Sequence, residues 1–505
     1  MSSVRAADSI RLAEVLAAHG LAGIEKVLLN YLPTRRWFGS KARSLTSLSV
    51  LDAVPVPGRA IVCLIEARYP DGTRDIYCLP LATVVGDDRA NIAFDWPDAL
   101  VASTDAGCVI YDPSSDPAFC REILHLISGR QQLRGASGVL AGSHTSAFER
   151  MPPDDDGPHD VRHSGDEQSN TSVLLDQSFV LKLVRRPAPG PNVEIEMRRF
   201  LTDRAQFRHA APLAGALEYR PDQGPAMILA VLHGFIPNHG TAWVQAVRSA
   251  AGEPASPPDY SLLGRRTGEM HASLSRDDTD PAFAPEPFTT ARAQASSDRM
   301  RALAQRVFDL LPGRLLGAMT VGVKLDLLLS HRGELERTFQ LVASLGNDGA
   351  CIRCHGDYHL GQVLWTGQDY VIIDFEGEPA RAPEARGDKD LPLRDVAGIV
   401  RSFGYAASTG LSSASPDRRA ALASTWCETA TATFLSGYLS VDGVRRLLPT
   451  DEARLSALLR AYVLEKAVYE LGYELNNRPD WAHIPVEGLL SYLDPTGRSY
   501  GSPTA

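Results

Sequence analysis

The sequence has no apolar run approaching the ~20 residues that a membrane-crossing helix needs, so no membrane partner is expected. Its first residues, Met1-Ser2-Ser3-Val4-Arg5-Ala6-Ala7-Asp8, lead into a polar and apolar helical pattern instead of a signal-peptide core. It also lacks a surplus of basic residues. With 51 Lys and Arg against 61 Asp and Glu, the net charge is -10, which argues against nucleic acid as the main partner because phosphate backbones are gripped by basic faces. Only seven cysteines occur, an odd number at irregular spacing, so no disulfide framework is implied; reduced thiols and a cytoplasmic location are expected. Cys351-Ile352-Arg353-Cys354-His355 fits the haem-attachment pattern C-x-x-C-H, but haem would require export and an exposed site, and zinc would require a second Cys/His pair at suitable spacing. No internal repeat is present. A chain of 505 residues with 44% hydrophobic content can fill the cores of roughly three structural units.

The stretch from Cys354 to Gly377 carries the most chemistry. His355-Gly356-Asp357-Tyr358-His359-Leu360-Gly361-Gln362 puts an Asp on a loop with a carboxamide five residues on. After the turn Trp365-Thr366-Gly367-Gln368-Asp369, the apolar run Val371-Ile372-Ile373 ends in Asp374-Phe375-Glu376. This order fits a kinase, in which an Asp takes a hydroxyl proton and two oxygen ligands hold Mg²⁺ against the phosphate charge. Asp357 is the expected base. Gln362 and Asp374 are the expected Mg²⁺ ligands, and Glu376, two residues past Asp374, could add a further metal contact.

A kinase also needs a phosphate-holding hairpin with an interior Lys, and a helix Glu to pair with it. Val173-Leu174-Leu175 and Phe179-Val180-Leu181-Lys182-Leu183-Val184 flank the turn Asp176-Gln177-Ser178, which reads as that hairpin. Lys182 stands alone in an apolar run, where an ammonium needs either solvent or a partner. Glu196 is the expected partner and Glu194 the second choice. Upstream, Gln168, Ser169, Asn170, Thr171 and Ser172 are assigned to ATP binding, although they stand where glycines are usual.

Residues 1–90 read as a cap with two helical turns from about Ile10 to Tyr31 and strands at Ser47–Leu51, Ala60–Ala67 and Asp75–Leu79. Residues 91–235 read as the ATP-binding lobe. It includes a helix over Ala118–Ser128, a loop at Met151–Pro158 and the strand Ala226–Phe235, whose Gly end suits an adenine-binding hinge. Residues 236–505 read as mainly helical. Apolar spacing of three and four marks Leu262–Leu274, Arg301–Leu311, Arg332–Ser344, Asp395–Ala406, Asp417–Leu439 and Glu452–Asn476, with loops at 276–297 and after Ser499.

These segments resemble maltokinase, in the aminoglycoside-phosphotransferase-like kinase superfamily. The resemblance is carried by Leu32-Pro33-Thr34-Arg35-Arg36-Trp37-Phe38-Gly39-Ser40-Lys41, Gln168 to Ser172, His355 to Gln362, Ile373 to Pro379, Pro392 to Gly398 and Asn477-Arg478-Pro479-Asp480-Trp481. The chain is similar to the maltokinase portion of bacterial proteins that fuse it to trehalose synthase, including Asp280 to Phe288. The resemblance implies an α+β, bilobal protein-kinase-like fold with an N-terminal antiparallel β cap and a mainly α C-terminal lobe. It also implies ATP-dependent conversion of maltose to maltose 1-phosphate for α-glucan (glycogen) synthesis, with Mg²⁺ as cofactor and a separate trehalose synthase as the partner that would supply maltose.

Sugars are gripped by planar polar groups and aromatic faces. Tyr462, Lys466, Tyr469, Glu470 and Tyr473 fall on one face of the last long helix, and Arg478 and Trp481 follow where Pro479 breaks it. That face reads either as core packing or as the acceptor site, and the resemblance implies the latter. Tyr358, His359 and His355 beside the base, and Arg394 downstream, are further sugar candidates. A mixed-charge face suits a neutral sugar; a kinase of glucosamine or an aminoglycoside, and a catalytically idle partner of trehalose synthase, are the alternatives.

Overall fold

The alternating strand patterns and the long amphipathic runs of the sequence separate in space, as a computed structural model of the chain shows. It describes residues 20–39, 43–58, 60–85, 96–103, 108–151, 160–163, 170–253, 258–314, 322–378 and 381–493. Gln168, Ser169, the 152–158 part of the polar loop, Ser40-Lys41, Pro379, the helical pattern before Gly20 and the tail after Ser499 lie outside the described residues. The chain divides into two units: Met1–Arg204 with Ala211–Pro237, and Ala205–Ala210 with Asn238–Ala505.

The first unit opens with α1 (Gly20–Tyr31) and an antiparallel sheet of β1 (Ser47–Val56), β2 (Ala60–Arg68), β3 (Arg74–Val85), β4 (Leu100–Ser103) and β5 (Cys108–Tyr111), in the order β1-β2-β3-β5-β4. The sheet takes in strands as far as Tyr111, in a stretch the sequence reading gave to the ATP-binding lobe. β2 is buried along both faces. Ile61, Cys63 and Ile65 pack with Leu28, Trp37 and Phe38, while Val62 and Leu64 face α2 (Pro117–Ser128) through Phe119 and Ile123. A strand covered on both faces reads as an unbroken apolar run, which is how Ala60–Ala67 stands in the sequence.

The second sheet has seven strands: β6 (Gln132–Arg134), β7 (Gly138–His144), β8 (Val161–His163), β9 (Thr171–Leu175), β10 (Phe179–Leu183), β11 (Leu213–Pro221) and β12 (Met227–Gly234), in the order β6-β7-β11-β12-β10-β9-β8. The short α3 (Val193–Arg199) follows β10. One apolar cluster joins this sheet to the first through Val62, Leu64, Leu140, Val173, Leu181 and Leu229. Two buried polar groups tie them further. Arg185, 1% exposed, donates to Thr171 Oγ1 and Ser114 Oγ at 2.8 Å each, pairs with Asp112 at 2.8 Å, and lies 4.9 Å above the Trp37 ring. The Asp52 carboxylate accepts from Ala136 N–H, Ser137 N–H and the Tyr219 hydroxyl at 2.9, 3.0 and 2.7 Å.

The second unit is built on α4 (Ala242–Ala250), α5 (Tyr260–Leu274), α6 (Thr290–Arg314), α7 (Gly322–Ser330), α8 (Arg332–Val342), α9 (Leu393–Gly410), α10 (Pro416–Leu439), α11 (Glu452–Asn477) and α12 (His483–Leu493). Two short antiparallel pairs interrupt the helices: β13 (Glu286–Pro287) with β14 (Ala350–Cys351), and β15 (Val363–Trp365) with β16 (Tyr370–Ile372). α6 begins inside the stretch expected to be a loop. Its first turns, Thr290-Ala291-Arg292-Ala293-Gln294-Ala295, show no apolar stripe, and tertiary caps start it: Thr290 N–H donates to Asn347 Oδ1 at 3.2 Å. α5 and α10 cross closely because Gly264 and Gly437 stand at the contact, where an added Cβ would come within 2.0 Å of Phe434 O and 1.9 Å of Ser261 O. No helix among the described residues is long and apolar enough to cross a membrane.

Replacing Arg185 with Met would leave the Asp112 carboxylate buried without its cation, a defect that costs about 3–5 kcal/mol. Urea unfolding should therefore report a lower midpoint for Arg185→Met, and an unchanged midpoint would show that the guanidinium is not holding the two sheets.

Candidate active site

In the second unit the loop from His355 to Gln362 is fixed from below by one carboxylate. Asp395, in the first turn of α9, accepts His355 N–H at 2.7 Å and Gly356 N–H at 2.9 Å. It also takes the Nε2 proton of His271 at 3.1 Å, whose Nδ1 faces the Tyr438 hydroxyl at 3.0 Å. Burial alone would raise the Asp395 carboxyl, but these hydrogen bonds and the nearby histidines hold it below its ordinary value. Gly356 has φ 88°, a left-handed conformation, and an added Cβ would meet Gly377 Cα at 3.0 Å. Gly398 lets α9 approach the loop: a Cβ there would reach Tyr358 O at 2.1 Å.

His355 is fully buried, and its Nε2–H donates to Ile373 O at 2.8 Å while the ring packs on Phe375 and Tyr358 at 4.8 and 5.1 Å. It therefore bridges the loop to the Asp374 strand and does not face a sugar, which corrects the sequence reading. The buried Tyr358 hydroxyl is bonded to Thr267 Oγ1 at 3.0 Å, while the residue also lines the cavity beside Asp357. His359 caps its own turn, its Nδ1 accepting Gly361 N–H at 3.0 Å, and burial lowers its imidazole. Cys351 and Cys354 are buried in the core beneath this loop, their thiols pushed up by burial, to about 12 for Cys351.

Asp357 sits at the loop's exposed side, its Oδ1 3.0 Å from the Lys466 ammonium on α11. Burial would raise its carboxyl, but Lys466, and more weakly His359, hold it down at about 2. Lys466 is raised in turn, chiefly by Asp357 acting against the burial that would lower it. A carboxylate with a cation beside it stays ionised over the whole physiological range and is ready to accept a proton.

Gln362 Nε2 donates to Asp374 Oδ2 at 3.0 Å, and Ile373 N–H donates to Gln362 O at 2.9 Å. β16 thus delivers Asp374 beside the carboxamide, and Asp374 takes φ 65°, a left-handed conformation uncommon outside glycine. This pairing of a hard carboxylate oxygen with a neutral amide oxygen, available when the Gln362 amide turns, fits Mg²⁺. Glu376 follows two residues on and is half-buried.

The α11 face does not form one surface. Tyr462, Lys466 and Tyr469 line a cavity of about 40 Å³ with Tyr358, Glu378, Arg394 and Glu465, whereas Glu470 and Tyr473 lie outside it. Lys466 also lies 4.8 Å over the Tyr469 ring. Tyr462 donates its hydroxyl to Asp390 at 2.5 Å. Glu470 points instead at α9, where Arg401 Nε donates to it at 2.8 Å, and burial raises its carboxyl. Tyr473 is 46% exposed, and Arg478 lies over it at 5.6 Å and over Trp481 at 4.9 Å while pairing with Glu474 at 2.8 Å. Glu378 and Glu465, which line the cavity, were missed from the sequence. The signal for Glu378 was its place next to Gly377 in the metal segment; Glu465 had only its place beside Lys466.

In the first unit, Lys182 pairs with Glu194 at 3.2 Å. Glu196, the expected partner, instead lines a groove with Asn192, Arg199 and Glu218. Successive helical residues turn by about 100°, so residues 194 and 198 face the sheet together while residue 196 points away. Glu194, 3% exposed, also meets Arg198 at 3.1 Å and the buried His233 ring at 3.2 Å, and these neighbours, led by Lys182, hold it well down against the burial that would raise it. Ser172 stands opposite Lys182 on β9 and shares its face. Thr171 is fully buried and bonded to Arg185, because alternate residues of β9 point into the core, so its side chain is not free to face a phosphate. Asn170 Oδ1 accepts Arg185 N–H at 3.4 Å.

Two outcomes follow from this geometry. Gly398→Ala forces α9 and the loop apart, and a misplacement near 1 Å costs about 100-fold in rate, so kcat should fall by that order with the fold intact by circular dichroism. Lys466→Met should let burial raise the Asp357 carboxyl, moving the acid limb of the kcat/KM profile up by about one pH unit or more. The stability that the pair contributes is complete above the unfolded value of 3.8 and is lost as pH falls through about 2. An unmoved acid limb would show that Lys466 is not what keeps Asp357 ionised.

Residues 160–411 match the family model of the phosphotransferase enzyme family, and residues 31–116 match that of the Maltokinase N-terminal cap domain. A glucosamine kinase of Mycolicibacterium smegmatis is 27% identical over 342 residues, covering 65% of this chain and 78% of that protein. A glucosamine kinase of Streptacidiphilus jiangxiensis is 26% identical over 338 residues, covering 65% and 72%. Among solved structures, glucosamine kinase in crystal form B superposes with a TM-score of 0.64 at 20% identity, covering 92% of this chain and 99% of that one. Glucosamine kinase in complex with glucosamine, ADP and inorganic phosphate gives 0.62 at 20% identity, covering 91% and 98%. The fold is thus the mixed α and β, kinase-like one, in a chain whose residues 160–411 are similar to the phosphotransferase enzyme family and whose residues 31–116 are similar to the Maltokinase N-terminal cap domain.

Proposed function

We propose that this kinase transfers the γ-phosphoryl group of ATP to the anomeric hydroxyl of maltose, giving maltose 1-phosphate and ADP in the cytoplasm. The observation that carries the reading is the Asp357 carboxylate, held ionised by Lys466 beside a cavity lined in part by α11. In this reading Asp357 accepts the proton of the acceptor hydroxyl as its oxygen bonds to the γ-phosphorus and the bond to the ADP oxygen breaks. Lys182, kept in place by Glu194, and Ser172 on the same face hold ATP phosphates in the first unit, with Asn170 and the preceding Gln168 and Ser169. Gln362 and Asp374, with Glu376 as a further oxygen ligand, would hold Mg²⁺, which neutralises phosphoryl charge when bound.

The Maltokinase cap over residues 31–116 supports maltose as the acceptor, and trehalose synthase as the source of maltose follows from the same reading. A second reading, glucosamine as acceptor, is favoured by the glucosamine kinase relatives at 27% and 26% identity. The mixed charge of the cavity, with Arg394 and Lys466 beside Glu378 and Glu465, favours the neutral sugar.

ATP consumption with Mg²⁺ against maltose, trehalose, glucose, glucosamine and kanamycin, with the phosphate position read by NMR, tests the two. Maltose-dependent turnover to an anomeric phosphate is expected; turnover with glucosamine alone would transfer the site to the second reading. Asp357→Asn should abolish turnover while nucleotide affinity stays within a few fold, and normal turnover in that variant would remove Asp357 from its role.

A further inference from the structure

The cavity wall beside Asp357 is a row of alternating charges in which each carboxylate already has a cation. Asp357 is taken by Lys466 at 3.0 Å. Glu378 is taken by Arg394, with Arg381 at 3.8 Å. Asp390, behind the wall, is shared by Arg394 at 3.3 Å, Arg299 at 3.2 Å and the Tyr462 hydroxyl. Glu465 is held by Arg299 at 2.9 Å. Four carboxylates thus meet four cations, all from the second unit. These groups are largely withdrawn from solvent: the side chains of Glu378, Arg394, Glu465 and Lys466 are 15, 13, 14 and 19% exposed.

From this balance we infer that the Arg394–Glu378 pair sets the charge of the acceptor, admitting a neutral polyol ring and rejecting its amino counterpart. The inference rests on the sugar-kinase reading above. A hydroxyl can accept from Arg394 or Lys466 and donate to Glu378 or Glu465 in the same pose, so it uses both signs of the wall without disturbing either. A ring ammonium can only donate. It must leave water for a wall whose carboxylates are neutralised and whose nearest groups include two cations, so it gains no counter-ion and meets Arg394 and Lys466 as like charges. Arg394 is a sugar candidate from the sequence alone, and its pairing with Glu378 is what gives it this role.

Removing the cation from Arg394 takes away the nearest partner of Glu378 and leaves Arg381, at 3.8 Å, and Lys466, on the same cavity wall, as the remaining positive charges near it, so its carboxylate is freer to accept an ammonium. The test compares maltose with 2-amino-2-deoxymaltose, and glucose with glucosamine, in the wild type and in Arg394→Gln and Arg394→Lys. The wild type should favour each neutral sugar in kcat/KM by about 10-fold or more, the worth of one unfavourable charge contact. Arg394→Gln should shift that ratio toward the amino sugar by about 10-fold, and Arg394→Lys, which keeps the charge, should hold it near the wild-type value. A ratio unchanged in Arg394→Gln, or a wild type that prefers the amino sugar, overturns the inference while leaving the kinase assignment standing. Turnover with no sugar at all would count against the sugar-kinase reading itself; calorimetric binding of the same matched pairs would then still decide the charge selection, with equal affinities overturning it.

Discussion

A single buried anion organises the second unit. Asp395 is almost fully enclosed, and a carboxylate so placed would be costly if it did not collect donors. It collects His355 N–H, Gly356 N–H and the His271 imidazole, and two of these belong to the loop that carries Asp357. His355 then passes the constraint on, because its ring nitrogen is bonded to Ile373 O, one residue before Asp374. Ile373 N–H in turn holds the Gln362 carbonyl. The expected base and the two expected metal ligands are therefore connected through backbone groups and one buried ring, which fixes their spacing without help from a ligand.

The wall above that loop follows a different logic. Buried ion pairs often add little net stability, since desolvation offsets their attraction, but breaking one is expensive because the remaining charge has no partner. Eight side chains, four carboxylates and four cations, form such a set, and its value lies in fixing which polar groups a ligand finds, and in what orientation. Lys466 has two tasks there. It keeps Asp357 ionised against the burial that would protonate it, and it presents a donor to the cavity.

Much of this was legible in the sequence wherever the determining contacts are local. The strands β2, β10 and β12, the helices α5, α9, α10 and α11 and the order of Asp357, Gln362 and Asp374 follow from period, turn residues and spacing within a few tens of residues. What was not legible depends on partners far away along the chain. Lys466 meets Asp357 across 109 positions, so the sequence could place it on the sugar face but could not show that it holds the base. Glu194 and Glu196 are indistinguishable by composition, and the phase of a seven-residue helix against a sheet decides between them. The start of α6 is set by Asn347, more than fifty residues on, and a polar first turn gives no periodic signal. His355 looked like a site residue because it adjoins one; its burial is a tertiary fact.

In the first unit, the groups proposed to hold phosphate and the N-terminal sheet share a strand continuation. Lys182 lies in β10 and pairs with Glu194, and three residues further on Arg185 enters the core between the sheets, bonding Thr171, Ser114 and Asp112 and covering Trp37. Arg185 N–H and its side chain also hold Asn170 and Thr171, the described part of the loop assigned to phosphate. A guanidinium has donors in a fixed plane, so these partners must keep their mutual geometry to go on serving Nε and Nη2, while Nη1 is buried without a hydrogen-bond partner among the described residues. Residues that resemble polar phosphate ligands in the sequence are thus partly used to build the frame. In that arrangement the cap is structurally continuous with the strand that presents Lys182, and its contribution to the first unit is made through Arg185 as much as through apolar packing.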